Sequence, residues 1–375
     1  MNKSPSLAQQ VIVLLQDYIT AIGYKPVIHF ELEGCYQLSN TNDAHSLNFS
    51  SINKQLAALN IDGELVPEYW KNQWEYVSKF NGQTPLKEAE NLAAAMKNLP
   101  AILAKHGVTK TLIQPVVWSG DQGKLASGSA NIFSQDNRVV HIPNAIQINV
   151  SAFDDQGDNI VAKGFFGEYL QQCFIQSSYA NCLLYLPEED AFERLALKSR
   201  YGLAQELCSP VDISGGHQGS IALYKELGKH NQHMGEEALL VDQHNQPLLS
   251  HINWQKTARI EHRLGASSHR YDPFINIIYA LLNLIDALKV YQQGRCQQSL
   301  IEIPTTQLPE SLHDNEDNLG AISLFAHDQW FHQGINAIQE KQQDFVQKNN
   351  FPDKLGDRLK HDLLSRYRVT TDLVI

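Results

Sequence analysis

The sequence predicts an α+β fold, because helical and strand-like patterns follow one another without a regular strand–helix alternation. The clearest strand pattern is 26–38, which begins at a proline and alternates apolar with polar residues. The clearest helical patterns are 86–107, which stops at Gly107, and the apolar segment 274–291. Since no internal repeat or clear linker is present, we expect a single domain, 1–375.

The remaining elements follow the same two periodicities. Ser4 is expected to cap a first helix, 5–22, with Pro5 in its first position, where a missing N–H costs nothing. Pro100 is expected to kink the helix 86–107, because proline lacks the N–H and crowds the preceding turn. Further helices are predicted over 50–60, 161–185, 188–206, 320–348 and 352–367. Further extended segments are predicted over 70–80, 109–119, 138–153, 210–225 and 250–263.

Composition excludes several classes of function. The net charge is −11 and no Lys/Arg-rich run occurs, which argues against a nucleic acid or an anionic membrane surface as partner. The most apolar stretch, 274–291, is interrupted by polar residues and falls short of the roughly 20 apolar residues of a membrane span. The N-terminal apolar run, 11–15, is shorter than a secretory signal needs, and the five scattered cysteines form no C-x-x-C motif. A cytoplasmic location is therefore expected.

Two glutamates in the strand pattern 26–38 stand out. Glu31 and Glu33, in F-E-L-E-G, are two residues apart, so their side chains point to one face, roughly 6.5–7 Å apart. Such carboxylates repel each other unless cations or protons intervene. The pair indicates either a solvated strand face or a site for Mg²⁺ or Mn²⁺, which favour carboxylate oxygens.

Two further groups of charged residues lie downstream. Glu64, Glu68 and Glu75 belong to an aromatic-rich segment, 63–77, which indicates either ordinary surface acids or partly buried ones. Arg259, Glu261 and Arg263 alternate along one predicted strand and share a face. This row is either a structural ion-pair ladder or a site for metal and phosphate, since the guanidinium fork suits phosphate oxygens.

The segment 259–274, RIEHRLGASSHRYDPF, resembles the end of the catalytic domain of glutamine synthetases, where R-I-E-x-R, a short loop and N-P-Y-L precede an apolar helix. Weaker matches keep the family's order. F-E-L-E-G resembles its E-x-E strand, and 72–108 resembles its G-Q-x-E strand, following helix and H-G turn. The other matches are Q-I-N-V-S-A-F-D-D with H-x-H/N-x-S-L-F-x-D, F-E-R-L with K-R-L, and L-P-E-S-L with L-P-x-S-L. Together they run from about residue 25 to 345.

This resemblance implies both a fold and a reaction. The fold would be a curved, mostly antiparallel sheet that forms an active-site funnel and is backed by helices. The reaction would be ATP-dependent ligation of a small-molecule carboxylate, such as glutamate, to an amine through an acyl phosphate, with two divalent metal ions, Mg²⁺ or Mn²⁺. A homo-oligomer is also expected from the resemblance.

The resemblance also assigns roles to individual residues. Arg263 would face phosphate, Arg194 of F-E-R-L would face the substrate carboxylate, and Glu206 would complete the ammonium site. The implied metal ligands are Glu33, Glu68 and Glu75 near the amino-acid substrate, and Glu31 and Glu261 near the ATP phosphates.

Gln147 and Asn149 mark the first departure from the family pattern. Gln147 replaces the first histidine of H-x-H, which is a metal ligand in the family, and Asn149 takes the second place. An amide oxygen still binds Mg²⁺, but as a neutral and weaker ligand than imidazole or carboxylate. We expect both residues on the cofactor side of the site.

The family segment N-R-S-x-x-x-R marks the second departure. It falls on SGGHQGSIALYKE, where Gly219 and Tyr224 stand in place of two arginines, with Lys225 and His217 as candidates to compensate. The sequence also begins just before the E-x-E strand, so the family's small N-terminal β-grasp domain is expected to be absent. An amine other than ammonia is one consequence, and a catalytically inactive relative that binds a nucleotide, an amino acid or a protein is the alternative.

Overall fold

The computed structural model is an α+β structure, as the sequence predicts. It describes residues 5–38, 47–68, 70, 72–79, 82–118, 141–200, 220–225, 254–296 and 307–367. The described strands are β1 Tyr24–Leu38, β2 Gly63–Pro67, β3 Gln73–Ser78, β4 Val108–Leu112, β5 Val116–Trp118, β6 His141–Pro143, β7 Ile146–Asp154, β8 Ile221–Tyr224 and β9 Arg259–His262.

Ten described α-helices accompany these strands, with short 3₁₀ turns between some of them. They are α1 Leu7–Ala21, α2 Phe49–Ala58, α3 Pro85–Ala104, α4 Phe166–Ser178, α5 Glu189–Arg200, α6 Pro273–Gln292, α7 Ala321–His327, α8 Trp330–Lys341, α9 Gln343–Lys348 and α10 Leu355–Ser365.

Local capping and breaks account for the differences from the predicted bounds. Ser6, not Ser4, caps α1, because its hydroxyl accepts from the Gln9 N–H while the Gln9 side chain accepts from the Ser6 N–H. The strand predicted over 109–119 is two strands, separated at Pro115. The helix predicted over 320–348 is three, and Asp328 accepts from the Phe331 N–H where the second begins.

The main sheet has the strand order β2-β3-β1-β7-β9-β8, and β4 also pairs with β1. All of its strand pairs are antiparallel. One face of β1 carries Ile28, Phe30 and Leu32, which are fully buried against α1, α3 and α6. The predicted antiparallel sheet backed by helices is therefore confirmed, whereas the single-domain organisation stays a prediction.

Helix α6 lies at the centre of this core. It begins at Asp272, whose carboxylate accepts from the N–H groups of Phe274 and Ile275, with Pro273 at the first helical position. Contrary to the expectation that this stretch falls short of a membrane span, the helix is long and apolar enough to cross a membrane, but 72% of its most apolar window is buried inside the protein. This burial is what the core helix of a soluble protein shows.

Gly34 provides a first test of the core. It lies on the core face of β1 directly opposite Trp74, and an added Cβ would overlap the buried indole ring. We expect Gly34→Ala to lower the free energy of unfolding by about 1–3 kcal/mol, measured by urea denaturation. The penalty should shrink in a Trp74→Phe background, because the smaller ring makes room. Equal penalties in both backgrounds would contradict this contact.

His262 lies on the core face of β9, within an aromatic cluster. Its ring centroid is 4.7 Å from that of Tyr185 and 5.6 Å from that of Tyr279, and its Nε2 is 3.2 Å from the Ser178 hydroxyl. Burial lowers the pKa of His262 to about 3. Below pH ~6.5 the His262 imidazole binds a proton in the unfolded chain but stays neutral in the folded protein.

This depressed pKa predicts acid sensitivity. The contribution of neutral His262 to the free energy of unfolding is fully present above pH ~6.5. It declines by about 1.4 kcal/mol for each pH unit below that value. Between pH 7 and 5, wild-type protein should lose about 2 kcal/mol more unfolding free energy than His262→Phe, measured by denaturant titration. Parallel losses in the two proteins would show that His262 is not buried in its neutral form.

Candidate functional site

The strand β1 places two of the predicted residues on the sheet face opposite the core. Glu31 and Glu33 alternate with the buried Phe30 and Leu32, and both carboxylates are partly exposed. A solvated strand face and a site for a divalent cation both require this orientation. The residues on the neighbouring strands therefore show what the two carboxylates contact.

Strand register brings further donors beside Glu31 and Glu33. Glu75 of β3 lies directly opposite Glu33, and Gln147 of β7 lies directly opposite Glu31. Directly opposite residues of an antiparallel pair share a face, with Cβ atoms about 4.5–5.5 Å apart. Glu31, Glu33, Glu75 and Gln147 therefore form one patch on the sheet face opposite the core. We call this sheet face the polar face and this patch its acidic end.

The same face continues across β7, β9 and β8. Asn149 lies opposite His29 on one side and opposite Glu261 on the other, and Arg259 lies opposite Tyr224. These residues, together with Arg263 just after β9, form the arginine end of the polar face. Residues separated by more than 200 positions in the sequence thus share one surface of the sheet.

An ion-pair ladder organises the arginine end. Glu261 is only 1% exposed and lies between Arg259, whose Nη2 is 3.3 Å from Oε2, and Arg263, whose Nε is 3.6 Å from Oε1. Burial and the nearby Glu261 carboxylate raise the pKa of Tyr224, which stays protonated with its hydroxyl 3.4 Å from Oε1. The structure therefore contains the ladder that was one of the two interpretations of this row.

Asn149 links the two ends of the polar face. Its Nδ2 donates to Glu31 Oε1 at 3.1 Å, and its Oδ1 accepts from Arg259 Nε at 2.7 Å. Both groups of the buried amide are used, so its orientation is fixed by one acid and one base. His29 lies beside it, and burial together with the charge of Arg259 lowers the pKa of His29 to about 4. A neutral imidazole therefore lies on the polar face.

A buried asparagine supports the acidic end. Asn144 Oδ1 accepts from Gln73 Nε2 at 3.0 Å, and its backbone carbonyl accepts from the Ser267 N–H at 3.2 Å. The next residue, Ala145, donates its N–H to Glu33 Oε2 at 2.7 Å. Sequence reasoning missed both Asn144 and His29. The available signal was a polar residue within an otherwise apolar strand pattern.

Two other predicted residues lie near the polar face. Arg194 of α5 is 1% exposed, and its Nη1 donates to the carbonyl of Leu264 at 3.4 Å, next to Arg263. Glu68 follows β2, where its N–H donates to the carbonyl of Gln73 at 3.2 Å. Glu206 lies outside the described residues.

Tyr224 and Lys225, from the segment that matches the family's N-R-S-x-x-x-R, have different surroundings in the structure. Tyr224 faces the arginine end, where the Arg259 guanidinium stacks 4.5 Å from its ring centroid. Lys225 points to the other side, where its Nζ is 2.9 Å from Glu168 of α4. Lys225, which directly follows β8, therefore pairs with an acid on the helical side of the sheet, and its role as a replacement for a lost arginine stays a prediction. Gly219 and His217 lie outside the described residues.

The donor chemistry of the acidic end fits a divalent cation. Among the described residues, no three His, Cys, Asp or Glu side chains form a metal-binding group by themselves. The buried Oε1 of Gln147, however, has no hydrogen-bond partner in the described part of the chain. Mg²⁺ commonly binds through one or two carboxylates and completes its shell with water and substrate phosphates, so such a patch suffices.

The polar face is distinct from a surface cavity of about 340 Å³ near Arg270, Asp272 and Tyr367. None of the predicted site residues lines that cavity. The strand register, rather than cavity shape, therefore defines the candidate site.

The fold and the polar face define a class: an α+β protein whose seven-stranded antiparallel sheet carries acids and arginines on its open face. No protein-family model and no curated protein matches the sequence. Solved structures match across nearly the whole chain. One described as a novel glutamine synthase homolog has a TM-score of 0.58 and 14% identity, covering 98% of this chain and 72% of its own.

Two further structures belong to the same group. GmaS in a complex with ADP has a TM-score of 0.53 and 13% identity, with 97% of this chain and 75% of that chain covered. The glutamine synthetase of Plasmodium falciparum has a TM-score of 0.51 and 15% identity, covering 96% and 75%. The chain therefore has the glutamine synthetase fold, which confirms the predicted resemblance at the level of structure.

Proposed function

We propose that the protein is an ATP-dependent carboxylate–amine ligase of the glutamine synthetase type. The observation that supports this proposal most is the convergence of carboxylates and arginines on one sheet face, from Glu33 and Glu75 to Arg263. Cations and arginines are what phosphoryl transfer requires, because charge spreads over the oxygens of the transferred group.

In the proposed reaction, an oxygen of the substrate carboxylate attacks the γ-phosphorus of ATP and ADP leaves. A neutral amine then attacks the carbonyl carbon of the acyl phosphate, and phosphate and a proton are released. With glutamate as the acid, the intermediate is γ-glutamyl phosphate. A divalent cation on the polar face would neutralise charge on the transferred phosphoryl group.

The roles of the protein side chains follow from their chemistry. Arg263 binds phosphate oxygens, and Arg194 binds the substrate carboxylate, since a guanidinium donates two parallel hydrogen bonds to either group. Glu206 receives the amine. Gln147 and Asn149 lie on the nucleotide side, and the residues assigned to Mg²⁺ or Mn²⁺ are Glu31, Glu33, Glu68, Glu75, Glu261 and Gln147.

The proposed setting agrees with the composition of the chain. We place the protein in the cytoplasm as a homo-oligomer that acts on small molecules, without nucleic acid or membrane as partner. The acidic net charge of −11 and the absence of a C-x-x-C motif support this setting.

The test is ADP release from Mg²⁺–ATP or Mn²⁺–ATP across a panel of amino acids paired with ammonia and primary amines. The expected result is ADP release that requires one acid and increases with one amine. Calorimetric titration with ATP and each metal provides the second measurement. Absence of both ATP binding and turnover would favour the non-catalytic alternative, which Gln147 and Tyr224 support as replacements of charged or metal-binding residues.

A further inference from the structure

The surface cavity of about 340 Å³ lies apart from the polar face and has its own mixture of apolar and charged residues. It is built by the segment between α4 and α5, by the loop that leads from β9 into α6, and by the end of α10 with the residues that follow it. Small-molecule sites in proteins span about 300–1,000 Å³. The cavity therefore suits a small molecule rather than a polymer.

The floor of the cavity is apolar. It is formed by aliphatic side chains that are themselves almost fully buried, with exposed fractions between 1% and 6%: Leu183, Leu184, Ile275 and Leu363. Covering such a surface with an apolar group is favourable, because both surfaces leave water. A ligand of this cavity is therefore expected to have an apolar body.

Two arginines at the rim of the cavity differ in their contacts. Arg366 is paired, with Nη1 3.0 Å from Asp272 and Nη2 2.9 Å from Asp362. Arg270 is exposed, and none of the described residues pairs with its guanidinium. Its backbone N–H alone is engaged, by the Ser268 hydroxyl at 2.9 Å. The rim therefore offers one guanidinium whose donors are available to a ligand.

The acceptors of the same rim are already in use. The Asp272 carboxylate caps α6 with one oxygen and pairs with Arg366 through the other. Burial raises the pKa of Tyr367, so its phenol stays neutral, and its hydroxyl donates to the Pro187 carbonyl at 3.2 Å. A rim with available donors and occupied acceptors favours a ligand that brings an anionic acceptor.

The charges around the cavity favour a ligand with a single negative charge. Asp272 and Asp362 together offset the charge of Arg366. Glu188 adds a further negative charge nearby, although it does not line the cavity. A phosphate dianion would therefore meet several carboxylates and only one available arginine. A carboxylate matches Arg270 with one charge and two parallel hydrogen bonds.

We propose that this cavity binds a small monocarboxylate with an apolar body, anchored by Arg270. The carboxylate contacts the guanidinium at the rim, and the apolar body packs on the aliphatic floor. The inference goes beyond the proposed ligase function and does not depend on it, because none of the residues assigned to that function lines the cavity.

The test uses the full chain and benzoate as the probe, with binding measured by saturation-transfer NMR of the benzoate protons. Benzyl alcohol, which has the ring without the charge, and inorganic phosphate, which has charge without the ring, serve as competitors. We expect a benzoate Kd of about 1 mM or tighter, and inhibition constants at least about tenfold weaker for both competitors. A benzoate Kd above about 10 mM, or equally strong competition by either molecule, would overturn the proposed ligand class.

Variants of Arg270 locate the binding site. Arg270→Gln should weaken benzoate binding at least about tenfold, and Arg270→Lys should weaken it less, because it keeps the charge but not the planar fork. The matched control is Arg358→Gln, which removes an exposed guanidinium of α10 outside the cavity and should leave the Kd within about twofold. Thermal unfolding checks that each variant is folded. Wild-type affinity in Arg270→Gln would mean that benzoate binds elsewhere, such as the arginine end of the polar face, and would overturn the inference.

Discussion

Replacement of Glu33 by glutamine is expected to lower the rate of acid-dependent ATP cleavage roughly 100-fold or more, because it removes a carboxylate from the centre of the acidic end. Glu33 has Glu75 directly opposite on one side, and its Oε2 accepts from the Ala145 N–H at 2.7 Å on the other. The glutamine side chain still accepts that hydrogen bond. The expected loss is therefore one of charge rather than of structure.

Glu64 provides the matched control. It lies on the same sheet face, directly opposite Val77 of β3, but it is exposed at the sheet edge and pairs with Lys79 at 3.0 Å. Glu64→Gln removes the same charge and should retain activity within about twofold, since an exposed pair contributes little. Steady-state ADP release and thermal unfolding should be measured for both variants. Equal activity of Glu33→Gln and wild type would exclude Glu33 from the site.

Much of the polar face could be predicted because strand alternation is local. The pattern F-E-L-E-G separates Phe30 and Leu32 from Glu31 and Glu33, and the structure has this separation. What the local pattern does not contain is register. The pairing of Glu33 with Glu75 and of Glu31 with Gln147 joins residues that are far apart in the sequence, and only the family resemblance suggested it.

The partners of Arg259 show why the rest could not be predicted. The row Arg259, Glu261 and Arg263 left a ladder and a phosphate site equally open, and the ladder depends on burial by strands β7 and β8. Likewise, Tyr224 ends the four-residue strand β8 and Lys225 directly follows it, yet Tyr224 contacts Arg259 and Lys225 contacts Glu168 of α4. A strand this short contains too few residues for its alternation to be recognised from sequence.

Glu261→Ala is expected to cause the largest loss of stability among the variants considered. Its side chain is 1% exposed, and its partners Arg259 and Arg263 are 18% and 8% exposed, so all three charges are largely withdrawn from water. Removal of one partner of a buried ion pair leaves the others uncompensated and costs about 3–5 kcal/mol. Glu261→Gln should cost less, because its amide oxygen still accepts from Tyr224 and the arginines.

The exposed ion pair of Glu64 and Lys79 is the control that separates the effect of burial from the effect of losing a charge. Their side chains are 51% and 48% exposed, so Glu64→Ala should cost less than about 1 kcal/mol in the same denaturant titration. If Glu261→Ala costs no more than Glu64→Ala, water reaches the arginine end and solvates the freed guanidinium groups. If it costs several times more, the ladder is a buried element of the fold. That result would make Arg259 a structural cation of the polar face even before any metal or nucleotide binds.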